Sequence, residues 1–343
     1  MRGMPGILRI THVAALLLAG TAAASALLAP AHAGPAQRLP VGLDAYVERV
    51  RQEFGVVGMA VAVVKDNEIV YARGFGRADA GLDASVDADT VFAIGSNTKA
   101  FTAAAIGALV DDGLLAWDDR VTEHLPWFEL HDPYVTREIT VRDLLSHRSG
   151  LGRRGDANWY ATDFSREEIV RRVRHLPPAS SFRATAGYQN TMFAAAGLVA
   201  EAAGGRSWEA LVQERLLDPL GMERARLAVA DLAGLDNVAS PHEIIDGEVT
   251  AVPHRDLTNV APAGSILASV NDMTAWMRMM LSEGALDDRR VLSPEVVQEV
   301  WVANTVYPLP PSFAAMFPMT HFSLYGMGWG LRDYRGHPVA THT

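Results

Sequence analysis

Apolar positions recur along this chain in two rhythms. Over residues 41–54 they fall at Leu43, Tyr46, Val47, Val50 and Phe54, the spacing of one buried helix face, and predict a first amphipathic helix. Two runs rich in β-branched and small apolar residues follow at 57–64 and 69–75. Lys65-Asp66-Asn67-Glu68 parts them, a turn composition that predicts antiparallel neighbours. Residues 97–115 are Ala-rich, free of proline and followed through Asp111-Asp112-Gly113 by a helix stop, so a largely buried helix is predicted there.

From about 118 to 300 the helical rhythm returns at 141–146, 166–176, 193–203, 208–217 and 272–281, with long loops between, and predicts a helical lobe. Beyond it, 325–331 alternates glycine with large residues as a strand would, 333–337 turns, and 338–343 begins another extended run. Strand-forming sequence at both ends, divided by helices, predicts an α+β fold. Its antiparallel sheet would be built from both chain ends, with flanking helices and a helical lobe. Phe313, Met316, Phe317, Met319, Phe322, Tyr325, Met327 and Trp329 form an apolar cluster expected to be core rather than the lining of a substrate cleft.

Composition narrows the classes. The 343 residues are 49% hydrophobic and 20% charged, enough for an ordinary globular core, and residues 34–343 are taken as one domain. A net charge of −10 disfavours nucleic acid and anionic lipid as partners. The first 33 residues carry Arg2 and Arg9, an apolar run over 13–28 and the small-residue site Ala31-His32-Ala33, the three parts of a secretory signal cleaved after Ala33. The run is shorter than the roughly 20 apolar residues a spanning helix needs. No stable membrane span is expected after cleavage, and the product is expected in the periplasm or outside the cell. Absence of cysteine excludes a disulfide framework, a Cys-ligated zinc, a thiol nucleophile and a lipidated Cys.

Of the 30 basic residues only Lys65 and Lys99 are lysine. Lysine, unlike arginine, can give up its proton inside a protein, so a surviving lysine invites a chemical question. Lys65 sits in the predicted turn. Lys99 follows Ser96 by one helical turn in Gly95-Ser96-Asn97-Thr98-Lys99, which puts both side chains on one face at a helix start. A serine hydroxyl needs a base, and a desolvated amine can serve as one. The bland alternative is a capping serine and a solvated lysine. A second element, Gly187-Tyr188-Gln189-Asn190, is expected on a loop between helices. There a phenol could move protons and an amide could hold both a lysine and a substrate carbonyl, or the pair could be a buried tyrosine and a helix cap. A third, weaker element is His342-Thr343, on a run that would lie beside the Ser96 helix.

In this order and spacing the elements resemble the serine penicillin-recognising family of class C β-lactamases, D-alanyl-D-alanine carboxypeptidases, D-amino-acid peptidases and related esterases, from about residue 41 to the end. Ser-x-x-Lys matches at Ser96 and Lys99, and Tyr-x-Asn at Tyr188 and Asn190. The His-x-Gly form of the strand motif matches at His342-Thr343 without its glycine. The stretches 139–151, 219–222 and 262–265 are also similar and are expected to do no chemistry. The resemblance implies an acyl-enzyme: Ser96 attacks an amide, ester or lactam carbonyl, Lys99 and Tyr188 carry the proton, and Asn190, His342 and Thr343 contact substrate. No cofactor or metal is implied, and the partner is a small-molecule or peptide acyl substrate. The implied second oxyanion donor follows the third motif, so a chain ending at Thr343 is expected to be a fragment or inactive. Histidine in place of lysine there is expected to weaken recognition of a substrate carboxylate and to make strong β-lactamase activity less favourable.

Rival chemistries lack their residues. There is no Gly-x-Ser-x-Gly elbow, and His242-Glu243 is followed by Asp246 where a zincin needs its second histidine. His147 is expected to hydrogen-bond within its loop rather than to catalyse. A reading from another class remains, a non-catalytic protein of the same fold that holds peptidoglycan fragments or senses β-lactams. Acylation of Ser96 separates the two.

Overall fold

The computed structural model describes residues 39–342, so the expected leader and Thr343 lie outside the described residues. The first amphipathic stretch forms α1, Leu43–Glu53, which packs on a hairpin of β1, Gly58–Lys65, and β2, Glu68–Gly76, antiparallel as expected. Asp66 and Asn67 make its two-residue turn with φ of 52° and 63°. Positive φ at both positions matches the turn to the right-handed twist of the strands, and Asp and Asn tolerate it better than most side chains.

The Ala-rich stretch forms α2, Thr98–Asp111, with every residue from Thr98 to Leu109 buried. A helix apolar on all sides can only sit inside a protein. It ends as its glycine predicts: Gly113 has φ 70°, and the Leu114 N–H returns to Leu109 O. The lobe that follows holds α3, Val141–Leu145, α4, Arg166–Arg172, α5, Asn190–Gly204, and α6, Trp208–Val212. Two expected helices are shorter than their periodicity. Residues 173–175 tighten into a 3₁₀ turn, and 213–217 widen into a π turn just ahead of Pro219. The proline lacks an N–H and crowds the carbonyl four residues back, so the α-helical ladder does not run through it. α2 and α5 pack together at the centre, and α7, Val270–Leu281, lies on the hairpin and stacks its Trp276 on Phe101 of α2, ring centroids 3.9 Å apart.

The class is mixed helix and sheet, as expected, and among the described residues the strands near the two ends form separate ladders. Among the described residues the N-terminal hairpin is one two-stranded sheet. The C-terminal strands Thr305–Val306, Ser323–Tyr325, Gly330–Tyr334 and His337–Thr341 form a separate antiparallel sheet of four. α7 bridges them: it packs on β1 and β2, while its Trp276 lies parallel to Trp329, ring centroids 6.4 Å apart. Among the described residues, side-chain packing rather than a ladder joins the two.

Two further expectations near the C-terminus change. Residues 325–331 are not one strand. Gly328, with φ 79°, reverses the chain between two of them. A Cβ on Gly328 would lie 2.7 Å from the Lys99 carbonyl oxygen, so only glycine brings this turn against α2. The apolar cluster also divides. Tyr325 and Met327 are buried, and Trp329 packs on the core, but Met316, Met319 and Phe322 are exposed, Met316 by 71%. The short helix Pro311–Met316 packs Phe313 on Phe317, ring centroids 4.8 Å apart, and leaves the methionine outside.

Candidate active site

The loop entering α2 is tied down before it carries any chemistry. Phe92–Ala93 pairs with Leu267–Ala268, Ile94 N–H donates to Ile266 O, and Ile266 N–H donates to Thr98 Oγ1. Gly95, with φ 53°, then turns the chain into a 3₁₀ turn, Gly95–Asn97, that presents Ser96. Neither this turn nor α2 has a side-chain cap, so Ser96 is not a capping serine. Its Oγ lies 2.6 Å from the Tyr188 hydroxyl and 2.9 Å from Lys99 Nζ.

Lys99 is fully buried, with Nζ 4.7 Å from the centroid of the Tyr188 ring and 5.4 Å from that of Phe193. Nζ donates to Asn190 Oδ1 and to Ala263 O, both at 2.7 Å. Burial lowers its pKa to about 7, with the charge of Asp156 pulling weakly the other way. Both carbonyl-type oxygens can only accept, so two amine hydrogens are committed to them. Toward Ser96, Nζ therefore presents a third hydrogen when charged and a lone pair when neutral. Near pH 7 both forms are populated.

Asn190 is not on the loop. It is the first residue of α5, and Asp156 fixes its orientation. One carboxylate oxygen of Asp156 accepts from Asn190 Nδ2 at 2.7 Å, and the other accepts from the backbone N–H and hydroxyl of Thr191. The amide nitrogen faces the carboxylate, so the amide oxygen faces the amine. Asp156 was not legible in the sequence. Neither was Ala263, whose stretch was expected to be chemically silent yet supplies a carbonyl to Lys99. Gly197 makes that approach possible, because a Cβ there would meet Pro262 Cγ at 2.3 Å.

Tyr188 does lie on the loop before α5, and His147 holds it from both sides. The His147 carbonyl accepts from Gly187 N–H at 2.8 Å, and its Nδ1 accepts from Gln189 N–H at 3.2 Å. The buried imidazole packs against the Tyr188 ring, centroids 4.4 Å apart, and against Tyr325 at 4.6 Å. Burial holds its pKa well below the ordinary histidine value, so the ring is neutral with its proton on Nε2. The loop-stabilising expectation for His147 thus has a geometry. Asp143 fastens the same two loops: it closes a capping box with Thr140 at the start of α3 and pairs with Arg148 and Arg183. Burial raises the Tyr188 pKa, opposed by the hydrogen bond with Ser96, so the phenol keeps its proton at neutral pH.

His342 reaches the same region from the C-terminal sheet. Its Nδ1 donates to Gly328 O at 2.7 Å, and burial lowers its pKa to about 4, so it is neutral at pH 7. Thr343 lies outside the described residues. A cleft of about 230 Å³ opens here, walled by Tyr188, Tyr307, Ser323, Leu324, Tyr325, Gly330, Thr341 and His342. Larger depressions, one beside Gly58 and one beside Met222, contain none of these groups.

A serine, a half-neutral amine and a phenol meeting at helix starts, on a mixed scaffold of this kind, define the serine penicillin-recognising class of proteins. Residues 43–343 match the Beta-lactamase family, and the chain belongs to it. It is 32% identical to the unguisins hydrolase ungD of Aspergillus violaceofuscus over 318 residues, 84% of this chain and 54% of that protein. It is 30% identical to penicillin-binding protein 4 of Amycolatopsis lactamdurans, over 86% of this chain and 76% of that one. The chain thus spans about half the length of the unguisins hydrolases it matches. Among solved structures, the octameric penicillin-binding protein homologue from Pyrococcus abyssi superposes with a TM-score of 0.77 at 25% identity, covering 89% of this chain and 68% of that one. The D-amino acid amidase of Ochrobactrum anthropi SV3 shares the fold, with a TM-score of 0.68 at 23% identity over 87% of this chain and 81% of that one. No helix of the described residues is long and apolar enough to cross a membrane.

Proposed function

We propose that the protein is an exported serine hydrolase that acts through an acyl-enzyme on amide, ester or β-lactam carbonyls. The observation that carries this reading is the environment of Lys99 Nζ, with two hydrogens spoken for and its third position 2.9 Å from Ser96 Oγ. Neutral Lys99 takes the hydroxyl proton as Ser96 Oγ attacks the carbonyl carbon. Tyr188 then gives its proton to the departing nitrogen or oxygen, which leaves an ester on Ser96, an ammonium on Lys99 and a phenolate at Tyr188. Water attacks the ester as the phenolate accepts its proton, and Ser96 leaves with the proton held by Lys99. The balance is one acyl bond and one water consumed, with all three side chains restored. Asn190 keeps the amine aimed, and His342 forms a neutral part of the substrate wall.

Relatives named as a hydrolase and a penicillin-binding protein support the reaction class. Export rests on the basic start, apolar run and Ala31-His32-Ala33 of the leader. A secreted product whose mass begins at Gly34 would bear it out, and retention of Met1 would refute it. For the chemistry, the full chain is treated with a fluorophosphonate, a penicillin, an aryl butyrate ester and a D-Ala-D-Ala peptide, and adducts are read by intact mass. A covalent adduct lost in Ser96→Ala is expected. Absence of any adduct on a folded chain would favour the non-catalytic binding protein.

A further inference from the structure

We propose that the charge-poor excursion between Tyr307 and Ser323 is a docking platform for an apolar chain on the departing side of the substrate. The inference rests on the hydrolase reading and names a substrate class for it: amides or esters whose leaving part is a hydrophobic chain.

Residues 308–321 contain no Asp, Glu, Lys or Arg, in a chain that is 20% charged. Their one titratable side chain, His321, is turned onto Asp333. The excursion leaves and re-enters the C-terminal sheet at one neck, where Tyr307 N–H donates to Ser323 O at 2.9 Å. Both neck residues line the cleft together with Tyr188. The apolar surface of the excursion is on the outside: Met316 is exposed by 71%, and Met319 and Phe322 by 44% each.

These exposed side chains are not what holds the segment. Its return leg is fastened by polar bonds: the Thr320 hydroxyl donates to Asp333 O, His321 N–H donates to the Asp333 carboxylate, and Arg335 N–H donates to Met319 O. The Arg332 guanidinium lies 5.0 Å from the centroid of the Phe317 ring, and Phe317 in turn packs on Phe313. Water therefore lies against apolar side chains that the segment does not need for its own placement, the mark of a surface that receives something. Methionine suits such a surface, because an unbranched thioether adapts to many shapes.

Continuity with the cleft says what it receives. A space of about 230 Å³ takes only a small fragment of a substrate, so the remainder lies outside it. In the proposed reaction Tyr188 gives its proton to the departing group, so the fragment between Tyr188 and Tyr307 is the leaving side. A chain that continues past Tyr307 and Ser323 meets the excursion next. A platform so poor in charge recognises that chain by apolar area removed from water rather than by ion pairing.

The test is a series of acetates of phenol, 4-butylphenol and 4-octylphenol, each used below its micelle concentration. The acyl group is constant and only the length of the departing chain changes. For the native chain kcat/KM is expected to rise roughly 10- to 100-fold from the phenyl to the octylphenyl ester, less than full burial of the chain would give, because an open platform covers one side of it. In the triple variant Met316→Gln, Met319→Gln, Phe322→Gln the rise should shrink to about threefold or less, with phenyl acetate turnover unchanged. An equal rise in both proteins overturns the inference and leaves the hydrolase reading intact. A variant that also loses phenyl acetate turnover would show that the excursion shapes the cleft rather than docks a chain. Self-association in sedimentation, or pelleting with phosphatidylcholine vesicles, that the triple variant abolishes would assign the surface to a second copy or to lipid instead. Should no acetate be hydrolysed, binding of 4-octylacetanilide to Ser96→Ala is measured by calorimetry with and without the three substitutions. Binding weakened about fivefold or more supports the platform without turnover, and equal binding refutes it.

Discussion

The two walls of the cleft are built on different principles. On the helical side, which reaches the cleft at Tyr188, the residues Ser96, Lys99, Tyr188 and Asn190 stand at or just before the starts of α2 and α5, and each is fixed by hydrogen bonds that cross between elements. On the strand wall, Leu324 and Thr341 belong to short strands and Tyr307 and His342 directly follow them, and His342 is held chiefly through one bond to Gly328 O. Under the proposed reaction, chemistry falls to the wall where a misplacement of an ångström matters most, and shape and contact to the other. Changes on the helical wall should therefore act on the rate of the bond-breaking step, and changes on the strand wall on affinity.

The sharpest way to break this division is Lys99→Arg. The substitution preserves positive charge but removes the titratable amine, and a guanidinium has no lone pair to offer Ser96. Acylation followed by rapid-quench intact mass should fall by about 10³- to 10⁴-fold, in the upper range of general-base contributions. Retention of most of the rate would remove Lys99 from the proton path. Tyr188→Phe comes next, with an expected loss of about 10²-fold in kcat, because ring packing against His147 survives while the proton carrier to the leaving group is gone. A larger loss for substrates with poor leaving groups than for activated aryl esters would identify the proton as the missing element. An equal loss for both would point to altered loop geometry instead.

The pH profile sharpens the same comparison. In the proposed reaction only neutral Lys99 accepts the Ser96 proton, and its pKa is lowered to about 7. The acylation rate should therefore rise through pH 7 and drop roughly tenfold per unit below it. His342, lowered to about 4, contributes nothing to that limb. Replacing it by Gln should shift KM by a few-fold and leave the midpoint of the limb in place. A midpoint that moves with His342→Gln would transfer the titration to the strand wall and undo the assignment.

Local spacing made the helical wall legible before any coordinates. Ser96 and Lys99 share a helix face because they are three residues apart, and Tyr188 and Asn190 flank one helix start. What stayed hidden depends on contacts between distant segments. Ala263 meets Lys99 across 164 positions of sequence, and Asp156 meets Asn190 across 34, with no periodicity to announce either. The arrangement of the strands has a related cause. Alternation of residues along a strand reports its two faces but not its partners, so strand-like ends did not say whether they pair or pack through α7. Exposure of Met316 and Phe322 was equally invisible, since an apolar composition is shared by a core and by a surface segment.

The smallest expected effect concerns His147, which touches no reacting atom and acts by positioning Tyr188. His147→Phe keeps a flat ring against Tyr188 and Tyr325 but removes the Nδ1 that accepts from Gln189 N–H, leaving a buried donor unpaired at a cost of about 1–3 kcal/mol. Part of this is offset, because the same change removes His147 Nε2, a buried polar atom with no partner among the described residues. The net loss should be about 1 kcal/mol in denaturant unfolding. Residue 147 also has φ 57°, which asparagine tolerates far better than phenylalanine. His147→Asn, with an amide oxygen free to accept from Gln189, should recover part of any loss in kcat although the stacked ring is gone. Were Phe instead to match the native enzyme and Asn to fail, ring packing rather than the hydrogen bond would be what holds Tyr188 beside Ser96.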